Sequence, residues 1–236
     1  IEMNIDNVRD YLRFLKFKDN GDEFQSLMNL LTVNETYFFR EFSTLETFAE
    51  HCLQEIAERK AASGDKNIRI WSAGCSTGEE PYTLAIIVRE MLDNLSGWDV
   101  RILASDIDEN VLAKAQNARY DDRSLKDMPD EYYSKYFIRS DGYHTPVKEV
   151  RNMVSFEHLN LMDKEAMRRK RGFDFIFCRN VLIYFDDLSR KQVVDHYYIA
   201  MNKGGYIFLG HSESVGRITT AFSMKRMGSS VVYYKG

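Results

Sequence analysis

The sequence is poor in the features that mark secreted, membrane-spanning or metal-binding chains. Its three cysteines, Cys52, Cys75 and Cys178, lack the spacing of metal ligands, which predicts no metal site and reduced thiols in the cytoplasm. No apolar run approaches the roughly 18 residues that span a bilayer, and the polar opening segment is unlike a signal peptide. A net charge of −4 over 236 residues excludes a generic basic nucleic-acid binder. These absences leave one globular domain with a small appendage, expected to be a monomer.

Residues 1–33 show two apolar stripes at helical spacing on either side of Asn20-Gly21. Two short helices make a poor independent core. They are therefore expected either to pack on the main domain or to follow further helices of a longer parent chain. The first residue is Ile1 rather than methionine, so a truncated N-terminal helical region is expected.

From residue 34 to 236 the pattern predicts an α/β domain. Strands and helices alternate, which indicates a parallel sheet with right-handed crossovers. The expected helices span 44–62, 81–94, 109–117, 130–137 and 188–201, the last ending at Lys203-Gly204-Gly205. The expected sheet strands span 68–72, 100–105, 154–157, 173–178, 205–210 and 229–234. Between them, residues 136–156 are expected to form a small β subdomain with strands 136–139, 143–147 and 150–156.

A glycine turn follows the first strand of this domain. The segment Ala73-Gly74-Cys75-Ser76-Thr77-Gly78 leads into a helix with Pro81 in its first turn, which is how α/β proteins bring backbone up to a nucleotide-like ligand. Glu79 and Glu80 come next, and two carboxylates would repel a pyrophosphate. They suit a ligand with hydroxyls and a positive charge. The turn therefore favours S-adenosylmethionine over a dinucleotide.

Asp106 and Asp108 stand at the carboxyl end of the second strand. An acid at this distance from a glycine turn is placed to bind ribose hydroxyls. Aspartate is also a good N-cap. We expect Asp106 to bind the ribose and Asp108 to cap the helix that begins at Glu109.

Five blocks in order resemble the chemotaxis receptor methyltransferase (CheR) family: NETYFFR (34–40), AGCSTGEEPY (73–82), ASDID (104–108), FDFIFCRNVLIYF (173–185) and GHSE (210–213). The resemblance covers about residues 5–235. It implies the class I S-adenosylmethionine-dependent methyltransferase fold, a Rossmann-like, mostly parallel sheet with an antiparallel closing strand. It also implies a cytoplasmic enzyme that methylates glutamate side chains on the cytoplasmic helices of membrane chemoreceptors, with S-adenosyl-L-methionine as methyl donor.

The resemblance extends to individual residues. Arg40 is expected to orient the substrate carboxylate, because a guanidinium matches a carboxylate bidentately. Tyr184 lies within reach of the transfer site, so the predicted catalytic residues are Arg40, Arg179 and Tyr184. The predicted residues that contact the methyl donor are Asn34, Thr36, Arg40, Ala73, Gly74, Glu79, Asp106, Asn160, Leu161, Asn180 and Val181.

Plainer interpretations remain beside these. Tyr37, Phe38 and Phe39 are expected to be core aromatics, and His211-Ser212-Glu213 to form a structural turn, because no nucleophile elbow surrounds it. The basic run 168–171 is expected to be a solvated helix end. The resemblance also implies a longer N-terminal helical domain in family members, which includes a basic helix facing the receptor.

Three other functions compete with receptor methylation. They are methylation of another acceptor, a non-catalytic module that binds S-adenosylmethionine as a signal, and a dinucleotide oxidoreductase. The last requires a GxGxxG turn that this chain lacks. Docking of a receptor C-terminal tail on the 136–156 excursion is a further possibility that the sequence leaves open.

Overall fold

A seven-stranded sheet with helices on both faces forms the body of the molecule. The computed structural model describes Ile5 and residues 7–31, 34–215, 218–228 and 230–236. The strands are β1 (Asn67–Ala73), β2 (Asp99–Asp106), β3 (Phe137–Ser140), β4 (Tyr143–Pro146), β5 (Val154–His158), β6 (Phe173–Cys178), β7 (Met201–Leu209), β8 (Ser223–Met227) and β9 (Ser230–Tyr234). The α-helices are α1 (Val8–Phe17), α2 (Asp22–Leu31), α3 (Phe42–Thr47), α4 (Gln54–Ala62), α5 (Glu79–Met91), α6 (Glu109–Asn117), α7 (Asp130–Tyr136), α8 (Lys148–Arg151), α9 (Lys164–Arg168) and α10 (Asp187–Ala200).

The strand order is β5-β2-β1-β6-β7-β9-β8. The first five of these are parallel, whereas β9 pairs antiparallel with β7 and β8 antiparallel with β9. The chain runs outward from β1 on one side and then returns to β6 on the other. The strand order therefore reverses between β1 and β6, where open α/β sheets bind ligands. The predicted fold class is confirmed.

Both faces of the sheet are packed. All six residues of β6 are buried, as expected for a central parallel strand. On one face a π-helical segment, Phe48–Leu53, joins α3 to α4 and places Phe48 edge-on against Phe175 and Phe177. On the other face Tyr197 of α10 packs edge-on against Trp71. The helix predicted over 44–62 is thus present with a π segment in its middle.

Three sequence predictions need correction. The β subdomain is a two-stranded hairpin of β3 and β4 that ends at Pro146; residues 148–151 are helical, and 154–158 form the edge strand of the main sheet. The last helix ends at Ala200 and not at Gly204-Gly205 as predicted. Gly204 (φ 72°) lies inside β7, at the point where the register with β6 shifts. Strand β8 was not expected, since its alternation is weak and most of its residues are exposed.

The two N-terminal helices lie on the surface and have no fully buried residue. Gln25 of α2 donates a 2.5 Å hydrogen bond to the carbonyl of Ile107, which follows β2. Val8 and Leu12 of α1 are largely exposed. Over the described residues, no helix is long and apolar enough to cross a membrane.

Candidate active site

A cavity of about 570 Å³ opens at the carboxyl ends of β1, β2 and β6. This is within the range of roughly 300–1,000 Å³ that small-molecule sites occupy. Eleven of the thirteen predicted site residues line it: Asn34, Thr36, Arg40, Gly74, Asp106, Asn160, Leu161, Arg179, Asn180, Val181 and Tyr184. Blocks that are up to 150 residues apart in the sequence thus meet at the point where the strand order reverses.

The glycine turn is shaped by close packing. Gly74 has a φ of 88°, and its N–H donates to the carbonyl of Ser105 at 2.8 Å. A Cβ at position 74 would overlap the Val181 side chain. Gly78 has a φ of 93°, and a Cβ there would crowd Ala115. Glycine is therefore required at both positions for backbone conformation and for space.

Asp106 holds the other side of this turn. Its carboxylate accepts the N–H of Ser76 at 2.7 Å and the N–H of Asp108 at 3.0 Å. Burial raises the pKa of Asp106 above its ordinary value. The Asp108 side chain accepts the N–H groups of Asn110 and Val111, which confirms it as the cap of α6. Asp106 therefore presents a fixed, buried carboxylate to the cavity.

The two adjacent glutamates of α5 face different surroundings. Glu79 does not line the cavity: it is 2% exposed and accepts hydrogen bonds from the hydroxyls of Thr77 (2.6 Å) and Ser124 (3.0 Å). Burial raises its pKa. Glu80 does line the cavity. The structure thus places Glu80, rather than the predicted Glu79, among the groups that can reach a ligand; Ala73 also lies outside the lining.

Arg179 is buried and fully engaged. It forms 3.0 Å ion pairs with Glu80 and Glu41, and it donates to the carbonyl of Arg40 at 2.5 Å. Glu80 also accepts from the Ser72 hydroxyl at 2.6 Å. Because its donors are occupied, Arg179 joins three chain segments around the cavity and is a positioning group more than a free cation.

Arg40 and Tyr184 both line the cavity. The Arg40 guanidinium donates to the carbonyl of Glu35 at 2.5 Å and lies 5.8 Å from the centre of the Tyr37 ring. Tyr184 is the last residue of a short 3₁₀ turn, Leu182–Tyr184, and is 57% exposed. Phe38 and Phe39 are buried as core aromatics, which confirms the expectation for these two. Tyr37 and Phe39 also line the cavity.

The remaining predicted residues are held by local hydrogen bonds. Asn34 donates to Asp108 at 3.0 Å, and the Asn160 side-chain oxygen accepts the N–H of Met162 at 2.9 Å. Asn180 adopts a φ of 61°, and its N–H donates to Glu213 at 2.9 Å. The turn that contains Glu213, which was expected to be structural, thus contacts a predicted site residue directly.

Sequence reasoning missed several lining residues. Phe24 and Met28 belong to the apolar stripe of α2, which had been assigned only to packing. Ser76, Met162 and Ile183 lie within or beside the recognised blocks, and no feature of their side chains distinguishes them there. Over the described residues, no group of three or more His, Cys, Asp or Glu side chains could hold a metal ion.

Comparison with known proteins gives consistent matches. A family model described as the S-adenosylmethionine-binding domain of CheR methyltransferases matches residues 34–231. The chain is 43% identical over 230 residues to chemotaxis protein methyltransferase 2 of Vibrio cholerae, covering 97% of this chain and 79% of the relative. It is 36% identical to the chemotaxis protein methyltransferase of Borreliella burgdorferi, over 89% of this chain and 74% of the relative. It is 35% identical to that of Escherichia coli, over 91% and 73%.

Proposed function

Since the chain belongs to the CheR methyltransferase family, we propose that it is a protein-glutamate O-methyltransferase: it transfers a methyl group from S-adenosylmethionine to glutamate side chains of chemoreceptors and gives glutamate methyl esters. The acceptor is then a carboxylate on a protein helix. We place the reaction in the cytoplasm, where those helices lie.

The residues of the cavity suit this methyl donor. Asp106 and Glu80 supply carboxylates for ribose hydroxyls and for positive charge, while Leu161 and Met162 offer apolar surface to a base. Val181 packs directly against Gly74, so the turn presents backbone and no side chain at that point. Two carboxylates disfavour a pyrophosphate. Asp106, Asn180 and Val181 would therefore hold S-adenosylmethionine, with Glu80 and Asn160 beside them.

The acceptor needs no general base. A glutamate has an ordinary pKa of about 4.3 and is ionised at neutral pH. When bound, S-adenosylmethionine would supply a methyl group on a sulfonium: the carboxylate oxygen would bond to that carbon in line while the carbon–sulfur bond breaks and S-adenosylhomocysteine leaves. Arg40 would bind and orient that carboxylate, and Tyr184 would border its path. A guanidinium also lowers the nucleophilicity of the carboxylate it binds, so its benefit must come from orientation, for which up to roughly 7–11 kcal/mol is available.

The observation that supports catalysis best is that Arg40 and Tyr184 line the same cavity as Asp106. A module that only senses S-adenosylmethionine has no use for groups on the acceptor side. A methyltransferase of a different acceptor remains the competing function. It would use the same site for the methyl donor, so identification of the acceptor separates the two.

A receptor tail could dock on the β3–β4 hairpin, as the family resemblance suggested. Ile138 and Tyr143 are exposed on it, and the Arg119 guanidinium lies 4.4 Å from the centre of the Tyr143 ring. His144 joins the hairpin to Asp122 (2.8 Å) and Tyr133 (2.9 Å). These contacts give the hairpin a firm base for an extended peptide. We propose a monomeric enzyme that acts on its receptor in this way.

The test is methyl transfer from labelled S-adenosylmethionine to cytoplasmic fragments of chemoreceptors. The proposal expects label that mild base releases as methanol and that disappears when the receptor glutamates are changed to glutamine. Base-stable label, or label that survives those changes, would indicate another acceptor. A protein that binds S-adenosylhomocysteine and labels no fragment would contradict receptor methylation.

A further inference from the structure

The turn after β7 is tied to the end of β6 by one carboxylate oxygen. Oε2 of Glu213 accepts the N–H of Gly210 at 2.8 Å and the N–H of Asn180 at 2.9 Å. The N–H of Glu213 in turn donates to the carbonyl of Gly210 at 2.9 Å. Glu213 does not line the cavity, whereas Asn180 does. The side chain of Glu213 therefore acts on the cavity through the backbone of Asn180.

The backbone of Asn180 is in an unusual conformation. Its φ of 61° lies in the left-handed region, which asparagine adopts more readily than most residues with a side chain but which still depends on support from its surroundings. The hydrogen bond that the Asn180 N–H donates to Glu213 supplies that support. The next residue, Val181, packs so close to Gly74 that no Cβ fits between them. Glu213 thus fixes Asn180 and Val181 relative to the glycine turn.

Two further details bear on the role of Glu213. A Cβ at Gly210 would lie 2.9 Å from the Asn180 nitrogen and 2.9 Å from Glu213 Oε2, so the turn leaves no space for a side chain there. Oε1 of Glu213 is buried and has no hydrogen-bond partner among the described residues. One acceptor oxygen therefore performs the whole contact, and a side-chain amide has such an oxygen.

We propose that Glu213 is a positioning residue of the methyl-donor site: one carboxylate oxygen holds Asn180 and Val181 in the conformation that S-adenosylmethionine requires. The inference rests on the proposed function in so far as that function assigns this cavity to S-adenosylmethionine. Glu213 contacts no reacting atom, so its loss is expected in the affinity for the methyl donor more than in the transfer step.

Calorimetric titration of the full chain with S-adenosylhomocysteine tests the proposal. Glu213→Ala is expected to raise the dissociation constant about tenfold or more, the effect of losing a hydrogen bond to a charged group. Glu213→Gln keeps an acceptor oxygen and is expected to stay within about threefold of wild type. Ser212→Ala, an exposed residue of the same turn, is the matched control and should bind like wild type. In turnover assays, KM for S-adenosylmethionine should rise with Glu213→Ala while kcat at saturation stays nearly constant.

Gly210→Ala provides a second route if Glu213→Ala fails to fold, because it keeps the carboxylate and pushes Asn180 away. It is expected to weaken binding as well. The proposal is overturned if Glu213→Ala or Gly210→Ala lowers only the melting temperature, or if Glu213→Gln loses as much affinity as Glu213→Ala. If the wild-type chain binds S-adenosylhomocysteine but methylates no receptor, the proposed function is refuted. The binding series would still decide the role of Glu213 in that case. A wild-type chain that does not bind S-adenosylhomocysteine would refute both.

Discussion

The two ends of the cavity are built differently. At the end that we assign to the methyl donor, Gly74, Asp106 and Asn180 are fixed by backbone hydrogen bonds or by contacts that leave no space for a side chain. At the end that we assign to the acceptor, Tyr184 is 57% exposed and Ile183 is 47% exposed. The residues of the methyl-donor end are therefore held by contacts within the described residues, whereas Tyr184 and Ile183 at the acceptor end are exposed, as suits a site that receives a second molecule.

This difference separates two kinds of experimental effect. Changes at the methyl-donor end should alter affinity and stability together, because the same hydrogen bonds hold the fold and the site. Changes at the acceptor end should slow transfer with little effect on either. Each of the following substitutions tests one side of that comparison.

The largest effect is expected for Arg40→Ala. Loss of the group that orients the acceptor should lower kcat about 100-fold, the scale on which a misplacement of about 1 Å acts. The dissociation constant for S-adenosylhomocysteine should change less than threefold. Arg40→Lys keeps the charge without the bidentate geometry and should recover only part of the rate. Equal losses of turnover and of methyl-donor affinity would place Arg40 at the methyl-donor end instead.

Asp106→Asn should act in the opposite way. An amide has one acceptor oxygen, so either Ser76 or Asp108 loses the acceptor for its N–H. The affinity for S-adenosylhomocysteine is expected to fall about 10- to 100-fold, in line with the loss of a hydrogen bond to a charged group. Asp99→Asn, at the opposite end of β2, is the matched control. Unchanged affinity in Asp106→Asn would refute its assignment to the ribose.

Tyr184→Phe should slow transfer about tenfold without changing the melting temperature, because an exposed side chain contributes little to folding. The phenylalanine keeps the ring and removes only the hydroxyl. Tyr184→Leu then tests whether the ring itself matters to the acceptor. If Tyr184→Phe retains the full rate and Tyr184→Leu does not, the ring matters and the hydroxyl has no role.

Sequence reasoning succeeded where backbone chemistry leaves a local signature. A glycine turn between strand and helix, an acid at the next strand end and an arginine after an apolar strand all predicted positions at one sheet edge. It could not show that Arg179 is occupied by Glu41, because the two residues are 138 positions apart and meet only in the folded chain. The prediction of a third subdomain strand over 150–156 was wrong. Residues 148–151, of which only Val150 is apolar, form a helical turn after Pro146.

The sequence also could not decide which of Glu79 and Glu80 faces the cavity. Successive residues of a helix point about 100° apart, and the sequence does not say which of the two faces the ligand. The structure directs Glu80 to the cavity and Glu79 to the hydroxyls of Thr77 and Ser124. Glu79→Gln should therefore leave the affinity for S-adenosylhomocysteine within about threefold of wild type, whereas Glu80→Gln should weaken it, since the buried Arg179 loses one of its two carboxylate partners.

Glu79→Gln also makes a prediction about stability, the smallest effect expected here. Because burial raises the pKa of Glu79 in the folded chain, the protonated form stabilises the fold. That contribution is fully present below the unfolded pKa of about 4.3 and is lost as the pH rises through the folded pKa. Glutamine cannot lose a proton, so the variant should match wild type near pH 4 and should be the more stable of the two at pH 7.5. Denaturant unfolding at both pH values measures the difference. If Glu79→Gln is instead less stable than wild type at pH 7.5, although the two match near pH 4, the charged form is the stabilising one. Glu79 would then belong with the ionised carboxylates at the methyl-donor end.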